Sequence, residues 1–131
     1  MSTDTATTVI VPGIANDSHP ARGMRLRLQF DDRELLVDER RASMSIGRAI
    51  DNDLAVKGHL ISRWHARIVI GRRNFVLIDQ STNGTFIQTS DGDELFARHD
   101  SVQLKGQGMI GLGCLPEQGS QHTIRFTCEE I

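Results

Sequence analysis

The sequence has no surplus of positive charge and no long hydrophobic run near its start. Its 15 lysines and arginines are outnumbered by 17 aspartates and glutamates, which gives a formal net charge of −2. General affinity for nucleic acid or for an anionic membrane depends on a basic surplus, so we expect neither partner. The first arginine or lysine is Arg22, and the longest apolar stretch before it is Val9–Val11. A signal peptide or a membrane span needs more than this, and we expect a cytoplasmic protein.

Cysteine is scarce, and the histidines are scattered. Cys114 and Cys128 do not form a CxxC motif, and in a cytoplasmic chain we expect two reduced thiols. A hairpin centred near Gln118 would place Cys114 opposite His122 and Cys128 opposite Gly108, too far apart for a disulfide. The five histidines show no ligand spacing, so the sequence predicts neither a metal site nor another cofactor.

The periodicity of an amphipathic helix is also missing, as is any internal repeat. From Met24 onward apolar and polar residues alternate, as in Met24–Phe30, which is the pattern of a half-buried strand. The best helical candidate, Glu34–Arg41, is better explained as a strand followed by a turn. Further β-like runs lie between turn-forming clusters at 43–47, 53–56, 64–70, 74–79, 85–87, 93–96, 101–104, 109–112 and 122–128. Roughly ten or eleven short strands at this spacing predict an all-β sandwich.

Residues 1–22 have a different composition from the rest. They contain threonine at positions 3, 5, 7 and 8 and two prolines, and they show no strand or helix period. We predict that they form a flexible, disordered tail. Residues 23–131 then form one folded domain, which suits the total length of 131 residues.

Three loop segments combine hydrogen-bond donors with turn-forming residues. Arg48, at the end of a strand, presents a permanently charged planar fork that suits a phosphate dianion. Ser62 and Thr82 add hydroxyl donors, and Asn83 carries both a donor and an acceptor with which it can clamp an extended peptide backbone. Gly84 permits a turn that other residues would strain. These segments are Gly47–Arg48, Ser62–His65 and Ser81–Thr85.

A phosphorylated side chain complements such a set of donors. It brings a charge of about −1.5 to −2 and three acceptor oxygens. Charge-assisted hydrogen bonds contribute about 1.5–3 kcal/mol each. Two or three of them would separate a phosphorylated from an unphosphorylated peptide by about two decades in affinity or more. The segments therefore predict a phosphopeptide-binding site.

The ordered set of motifs closely resembles the forkhead-associated (FHA) domain family. The matching pieces are Ser45–Arg48, Asp51–Asp53, Ile61–Ile68 and Asp79–Thr85, and the resemblance covers about residues 24–128. It implies an eleven-stranded FHA-type β-sandwich that recognises phosphothreonine, rather than phosphoserine, through loops at one end. The short architecture is similar to that of small bacterial signalling proteins of this family.

The same resemblance implies a role for each residue of the site. Arg48 and Ser62 hold the phosphate, and Thr82 shapes the pocket for the threonine methyl group. Asn83 forms hydrogen bonds with the peptide backbone, and Arg63, beside Ser62, adds contacts.

Three further residues are expected to support the site from within. Gly47 and Gly84 belong to the matching motifs, and His65 resembles the structural histidine that braces the loops of the family. Two features depart from the pattern. Trp64 is bulky where a polar residue is expected, and suits either the core or an exposed face. The final hairpin loop, Leu115–Gln121, is long.

Each site residue also has an ordinary explanation. Arg48 alone is more often a surface salt-bridge partner, Ser62 a turn hydroxyl, and Asn83–Gly84 a plain hairpin turn. The alternative function is a phospho-independent interaction scaffold on the same fold. Loss of Arg48 or Ser62 would favour that alternative, and both residues are present.

Two patterns suggest an enzyme, and both are rejected. Gly106–Gly111 is a literal GxGxxG, but a dinucleotide site needs a helix to begin there, and Leu112–Pro116 does not suit one. Ser62 and His65 suggest a nucleophile and a base. Three residues apart in an extended strand, they would face opposite sides of it. We therefore expect no catalytic residues.

The tail is a candidate ligand for its own domain. A phosphate on Thr7 or Thr8 would place an aliphatic residue at the third position after it, one of the preferences that FHA domains show. Some small bacterial members carry a paired-threonine tail that is phosphorylated and folds back; this tail is similar but lacks their acidic residue directly before the pair. The stretch from Thr8 to Met24 spans up to about 50 Å when extended. The other interpretation is a disordered leader whose threonines only add solubility.

Overall fold

The structure, a computed structural model, describes residues 23–117 and 122–131. Within these two ranges the chain forms eleven strands and no helix, so nothing in them could cross a membrane as a helix. The all-β prediction is confirmed, whereas the predicted disorder of residues 1–22 concerns a part of the chain outside the described residues. The strands are β1 (Met24–Phe30), β2 (Arg33–Val37), β3 (Ser43–Gly47), β4 (Leu54–Ala55), β5 (Ala66–Ile70), β6 (Phe75–Asp79), β7 (Thr85–Thr89), β8 (Glu94–Ala97), β9 (Ser101–Leu104), β10 (Gln107–Leu112) and β11 (Thr123–Glu130).

The strands form two sheets of a sandwich. One sheet has the order β2-β1-β11-β10-β7-β8, and the other has the order β4-β3-β5-β6-β9. The pair β3–β4 is parallel, and the other pairs with a defined register are antiparallel. The expected eleven-stranded sandwich is therefore confirmed.

The core lies between the sheets and follows the predicted alternation. In β1, Leu26 and Leu28 are fully buried, and Leu28 lies opposite the buried Phe126 of β11. Met44 of β3 and Phe75 of β6 are fully buried in the other sheet. Burying a side chain of this kind contributes about 1.5–3 kcal/mol relative to leaving it exposed. The conformational entropy that the chain loses on folding opposes this gain with a term of similar size.

The final hairpin differs in register from the prediction. Gly108 pairs with Phe126, and the N–H of Cys128 donates to the carbonyl of Gly106, so the expected pairing of Cys128 with Gly108 is wrong by two residues. The observed pairs are centred on position 117 and not on 118, and moving the centre by one residue moves each pairing by two. Both cysteines are nevertheless free thiols, as predicted.

The glycine-rich run at 106–111 enters β10 rather than a helix, as the sequence indicated. Trp64 lies outside any strand, because β5 begins at Ala66 and not at position 64. Its side chain is 49% exposed, which decides between the two interpretations in favour of an exposed face.

The register brings several strand ends together. β3 ends where β5 begins, since Ile46 pairs with Ala66, and Ala66 also pairs with Asp79 at the end of β6. The short loop 80–84 then leads from β6 to Thr85, the first residue of β7. The loops β3–β4, β4–β5 and β6–β7 therefore meet at one end of the sandwich, which we call the loop end.

Candidate functional site

Arg48 is the first residue after β3 and is fixed to the β4–β5 loop. Its backbone N–H donates to the carbonyl of Ser62 at 2.9 Å, and its Nε donates to the carbonyl of Ile61 at 3.1 Å. The two terminal nitrogens of this exposed guanidinium have no hydrogen bond to any described residue. Gly47 permits this approach, because a Cβ there would lie 2.3 Å from the carbonyl oxygen of Arg63.

Asn52 joins the β3–β4 loop to the β4–β5 loop. Its side chain is buried, and Nδ2 donates to the carbonyls of Ala49 and Arg63, each at 2.8 Å. The N–H of Ala49 also donates to the Arg63 carbonyl at 3.1 Å. These bonds fix the distance between the two backbone segments that carry Arg48 and Arg63.

Ser62 connects the β4–β5 loop with the β6–β7 loop. Its Oγ accepts a hydrogen bond from the N–H of Thr82 at 3.0 Å, although the two residues are 20 positions apart. A serine hydroxyl that accepts in this way still has its own proton to donate. Ser62 is half-buried and Thr82 is exposed.

Asn83 and Gly84 form the tip of the β6–β7 loop. The side chain of Asn83 is exposed, and its Nδ2 donates to the carbonyl of Leu60 at 3.0 Å, which ties the tip to the β4–β5 loop. Gly84 has a φ of +89°, and a Cβ there would lie 2.3 Å from the ring of Phe96. Both the backbone conformation and the space therefore require glycine.

His65 is fully buried and braces two loops at once. Its Nδ1 accepts a hydrogen bond from the N–H of Ser62 at 3.1 Å, so Nε2 carries the ring proton and donates to the carbonyl of Gly84 at 2.8 Å. Burial lowers the pKa of His65; the bond to Gly84 and the carboxylate of Asp79, whose Oδ2 lies 3.9 Å from Nε2, only partly offset this.

The expectation that Ser62 and His65 face opposite sides of a strand is wrong. The strand begins only at Ala66, and the two residues contact each other across a bend. The catalytic interpretation still fails, but for a different reason. The lone pair of Nδ1 is occupied by the backbone N–H of Ser62, so the imidazole is not available as a base for the Ser62 hydroxyl.

Asp79 is a buried acceptor that holds three segments of the loop end. Its carboxylate accepts from the N–H and the hydroxyl of Ser81 at 2.9 and 2.8 Å, from the hydroxyl of Thr85 at 2.6 Å, and from the N–H of His99 at 3.1 Å. Burial raises the pKa of Asp79, but the hydrogen bonds from Thr85, Ser81 and His99 outweigh it and hold the pKa below its ordinary value.

The family model of the FHA domain matches residues 44–113, which is more than half of the chain. The chain belongs to the FHA domain family. No match was found among curated protein sequences.

Solved structures of FHA domains share the fold. Mycobacterium tuberculosis Rv1747 FHA-1 is similar with a TM-score of 0.63 and 19% identity, over 86% of this chain and 100% of that one. Mycobacterium tuberculosis EmbR, in complex with a low affinity phosphopeptide, has a TM-score of 0.59 and 25% identity, over 79% of this chain and 24% of EmbR. The N-terminal FHA domain of S. cerevisiae Rad53p, in complex with a phosphothreonine peptide, has a TM-score of 0.56 and 19% identity, over 81% of this chain and 93% of that one.

This FHA domain gathers the residues that sequence analysis singled out at its loop end. Arg48, Arg63, Thr82 and Asn83 are exposed there, and Ser62 is half-buried between them. Two guanidinium groups, two hydroxyls and an amide on mutually bonded loops suit an anion with several acceptor oxygens on an extended chain.

Two buried residues of the FHA domain were not assigned a role from the sequence. Asn52 lies within the turn-forming cluster Asp51–Asp53, where an asparagine gives no sign that it bonds Arg63. Asp79 offered a weak signal, because an aspartate two positions before a serine often accepts its backbone N–H, as it does here from Ser81. Thr7 and Thr8 lie outside the described residues. Among the residues that are described, no cluster of histidine, cysteine, aspartate or glutamate could hold a metal ion.

Proposed function

We propose that this FHA domain, over residues 23–131, recognises phosphothreonine-containing proteins in the cytoplasm, in Ser/Thr kinase-dependent signalling. Arg48 and Ser62 bind the phosphate, and Asn83 binds the backbone of the peptide. Thr82 lines the space for the threonine methyl group, and Arg63 adds a second cation. The phosphopeptide held by EmbR, at 25% identity, supports this assignment.

The arrangement of Arg48 beside Ser62 carries the proposal. The Nε of Arg48 is already bonded to Ile61, and its backbone N–H to Ser62, so the side chain is oriented before any ligand arrives. Its terminal nitrogens and the Ser62 proton then remain available for phosphate oxygens. Donors held in place beforehand lose little freedom on binding, which favours affinity.

Calorimetry tests the proposal with three versions of one peptide, selected on an oriented phosphothreonine array. We expect the phosphothreonine peptide to bind at least about 100-fold more tightly than its unphosphorylated form, as two or more charge-assisted bonds imply. The phosphoserine form should bind more weakly, because it lacks the methyl group. Equal affinity for phosphorylated and unphosphorylated peptides would instead favour a phospho-independent scaffold.

The Arg48→Ala variant should lose at least about 100-fold in affinity and keep the melting temperature of the wild type, because an exposed arginine after a strand end supports little packing. Arg72→Ala is the matched control. Arg72 is also exposed, but it lies in the β5–β6 turn at the opposite end of the sandwich. An Arg48→Ala variant that binds like Arg72→Ala would contradict the phosphate site.

We further propose that the tail, once phosphorylated on Thr7 or Thr8, is one ligand of this site. The tail joins the domain at Gly23, whose carbonyl accepts from the N–H of Ile131, at the end opposite the loops. The seven residues of β1 span about 23 Å, well within the reach of about 50 Å. Phosphorylating Thr7 or Thr8 should shift the amide signals of Arg48 and neighbouring residues independently of protein concentration. Unshifted signals would show that the tail does not bind.

A further inference from the structure

Two large apolar side chains lie exposed next to the proposed phosphate site. Ile50 is 89% exposed, more than any other large hydrophobic residue that the structure describes. Trp64 is 49% exposed and is the only tryptophan of the chain. A single exposed apolar residue needs no explanation, but neighbouring ones beside a binding site often form part of an interface.

The backbones that carry these side chains are bound to each other. The N–H groups of Arg48 and Ala49 donate to the carbonyls of Ser62 and Arg63. Ile50 and Trp64 are the next residues along these two segments, so each directly follows a member of the bonded pair Ala49 and Arg63. We call the two side chains the Ile50–Trp64 patch.

Trp64 of the patch and the residue that Asn83 contacts lie on either side of Ser62 along the sequence of the β4–β5 loop. Asn83 is bonded to Leu60, two residues before Ser62, and Trp64 follows two residues after Ser62. Along the β4–β5 loop the order is therefore the Asn83 contact, the phosphate site, and then the patch. If Asn83 holds the bound chain on one side of the phosphate, the other side of that chain runs past the patch.

We propose that the phosphothreonine-bearing partner places an apolar side chain on the Ile50–Trp64 patch. This side chain comes from the stretch of the partner on the other side of the phosphothreonine from the part that Asn83 holds. The guanidinium groups of Arg48 and Arg63 next to the patch favour an occupant that is apolar at this point and anionic at the phosphate. The inference rests on the proposed function and adds a requirement beyond the phosphate.

The fluorescence of Trp64 tests the proposal in the unaltered protein, since no other tryptophan contributes. The ligands are phosphothreonine peptides without tryptophan, with leucine placed in turn at each of four positions before and four positions after the phosphothreonine, and serine elsewhere. We expect leucine on one side only to shift the emission to shorter wavelength at saturation. Emission that is the same for all saturating peptides would overturn the proposal.

Affinity measurements with variants give an independent test. Leucine at the productive position should raise wild-type affinity about tenfold through burial of apolar surface, and Trp64→Ser and Ile50→Ser should lose that gain. Ile131→Ser is the matched control. Ile131 is 73% exposed and directly follows β11, at the end of the sandwich opposite the loop end. Its gain from leucine should equal that of the wild type.

The outcomes separate this inference from the proposed function. If phosphorylation still controls binding but Trp64→Ser keeps the full gain from leucine, the inference is wrong and the proposed function stands. If phosphorylation makes no difference, the proposed function fails first. Self-association of the wild type, lost in Trp64→Ser on sedimentation, would show that a second copy of the chain occupies the patch, and would also overturn the inference.

Discussion

The two ends of the sandwich hold their loops in different ways. At the end opposite the loops of the site, the turns are closed by local bonds. Asp38 accepts from the N–H groups of Arg40 and Arg41, two and three residues later, and Thr89 accepts from the N–H of Asp93, four residues later. A turn of this kind carries its own stabilising bond within a few residues of sequence.

At the loop end the corresponding bonds join distant parts of the chain. Asn52 and Arg63 are 11 positions apart, and Asn83 and Leu60 are 23 positions apart. Such bonds form only when the strands that carry these loops are in place. Several side-chain bonds of the proposed binding loops therefore depend on distant parts of the fold, whereas Asp38 and Thr89 bond residues that are close to them in sequence.

Removing the carboxylate of Asp79 tests this difference most strongly. Asp79→Ala leaves donors of Ser81, Thr85 and His99 without their acceptor in a buried place, so we expect a loss of at least about 3 kcal/mol in the free energy of unfolding. Asp38→Ala, whose bonds are local and exposed, should cost about 1 kcal/mol or less. Urea denaturation measures both. Similar losses in the two variants would contradict the comparison.

A pair of glycine variants separates backbone strain from packing. Gly84 and Gly92 both have positive φ, at +89° and +95°, but a Cβ meets the Phe96 ring at the first and nothing within 4 Å at the second. Gly92→Ala should therefore cost about 1 kcal/mol from the backbone alone. Gly84→Ala should cost about 1–3 kcal/mol more, because the ring must move. The difference in their melting temperatures is the measurement, and equal values would show that Phe96 moves aside freely.

The same contrast explains which parts of the molecule could be predicted from sequence. The strands follow from local alternation, and β9 agrees with its predicted bounds of 101–104. The residues of the candidate site stand in short motifs, so their types and order identified them before any fold was known. By contrast, Asn52 has its partner 11 residues away, and nothing near it in sequence reveals that it is buried.

The errors arose where a loop was treated as regular structure. Ser62 and His65 were assigned to an extended strand, but a hydrogen bond from the Ser62 N–H to the imidazole closes a bend there. The register of Cys128 was wrong because the hairpin was centred on residue 118, whereas the pairs of β10 and β11 are centred on 117. Periodicity carries no information about a side-chain bond such as that of His65, nor about the residue on which a hairpin is centred.

Binding should respond to single hydroxyl and amide groups at one end only. Ser62→Ala and Asn83→Ala should each weaken phosphopeptide binding by about 1–3 kcal/mol, whereas Ser90→Ala and Asn74→Ala, in turns of the opposite end, should leave it unchanged. Asn83→Ala should also weaken any residual binding of the unphosphorylated peptide, because Asn83 is proposed to hold backbone. Ser62→Ala should not. Calorimetry with both peptides would contradict this division of roles if the two variants behaved alike.

The smallest expected effect concerns the dependence of stability on pH. Burial lowers the pKa of His65 in the folded protein below its ordinary value of 6.5. At a pH between the lowered pKa of the folded state and 6.5, the unfolded chain binds more protons than the folded one. The free energy of unfolding must therefore decrease as the pH falls below 6.5. One such group accounts for a slope of at most about 1.4 kcal/mol per pH unit. The structural reason is that protonated Nδ1 would point an N–H at the N–H of Ser62.

Urea denaturation between pH 8 and pH 5 measures this slope. Asp79 does not interfere, because a lowered carboxyl pKa gives stability that is lost only as the pH falls below the ordinary value of 3.8. His65→Gln should be less stable at pH 8 and should lose much of the wild-type slope, whereas His59→Gln, in an exposed part of the β4–β5 loop, should keep it. If His65→Gln keeps the full slope, the imidazole is not the group that binds the proton.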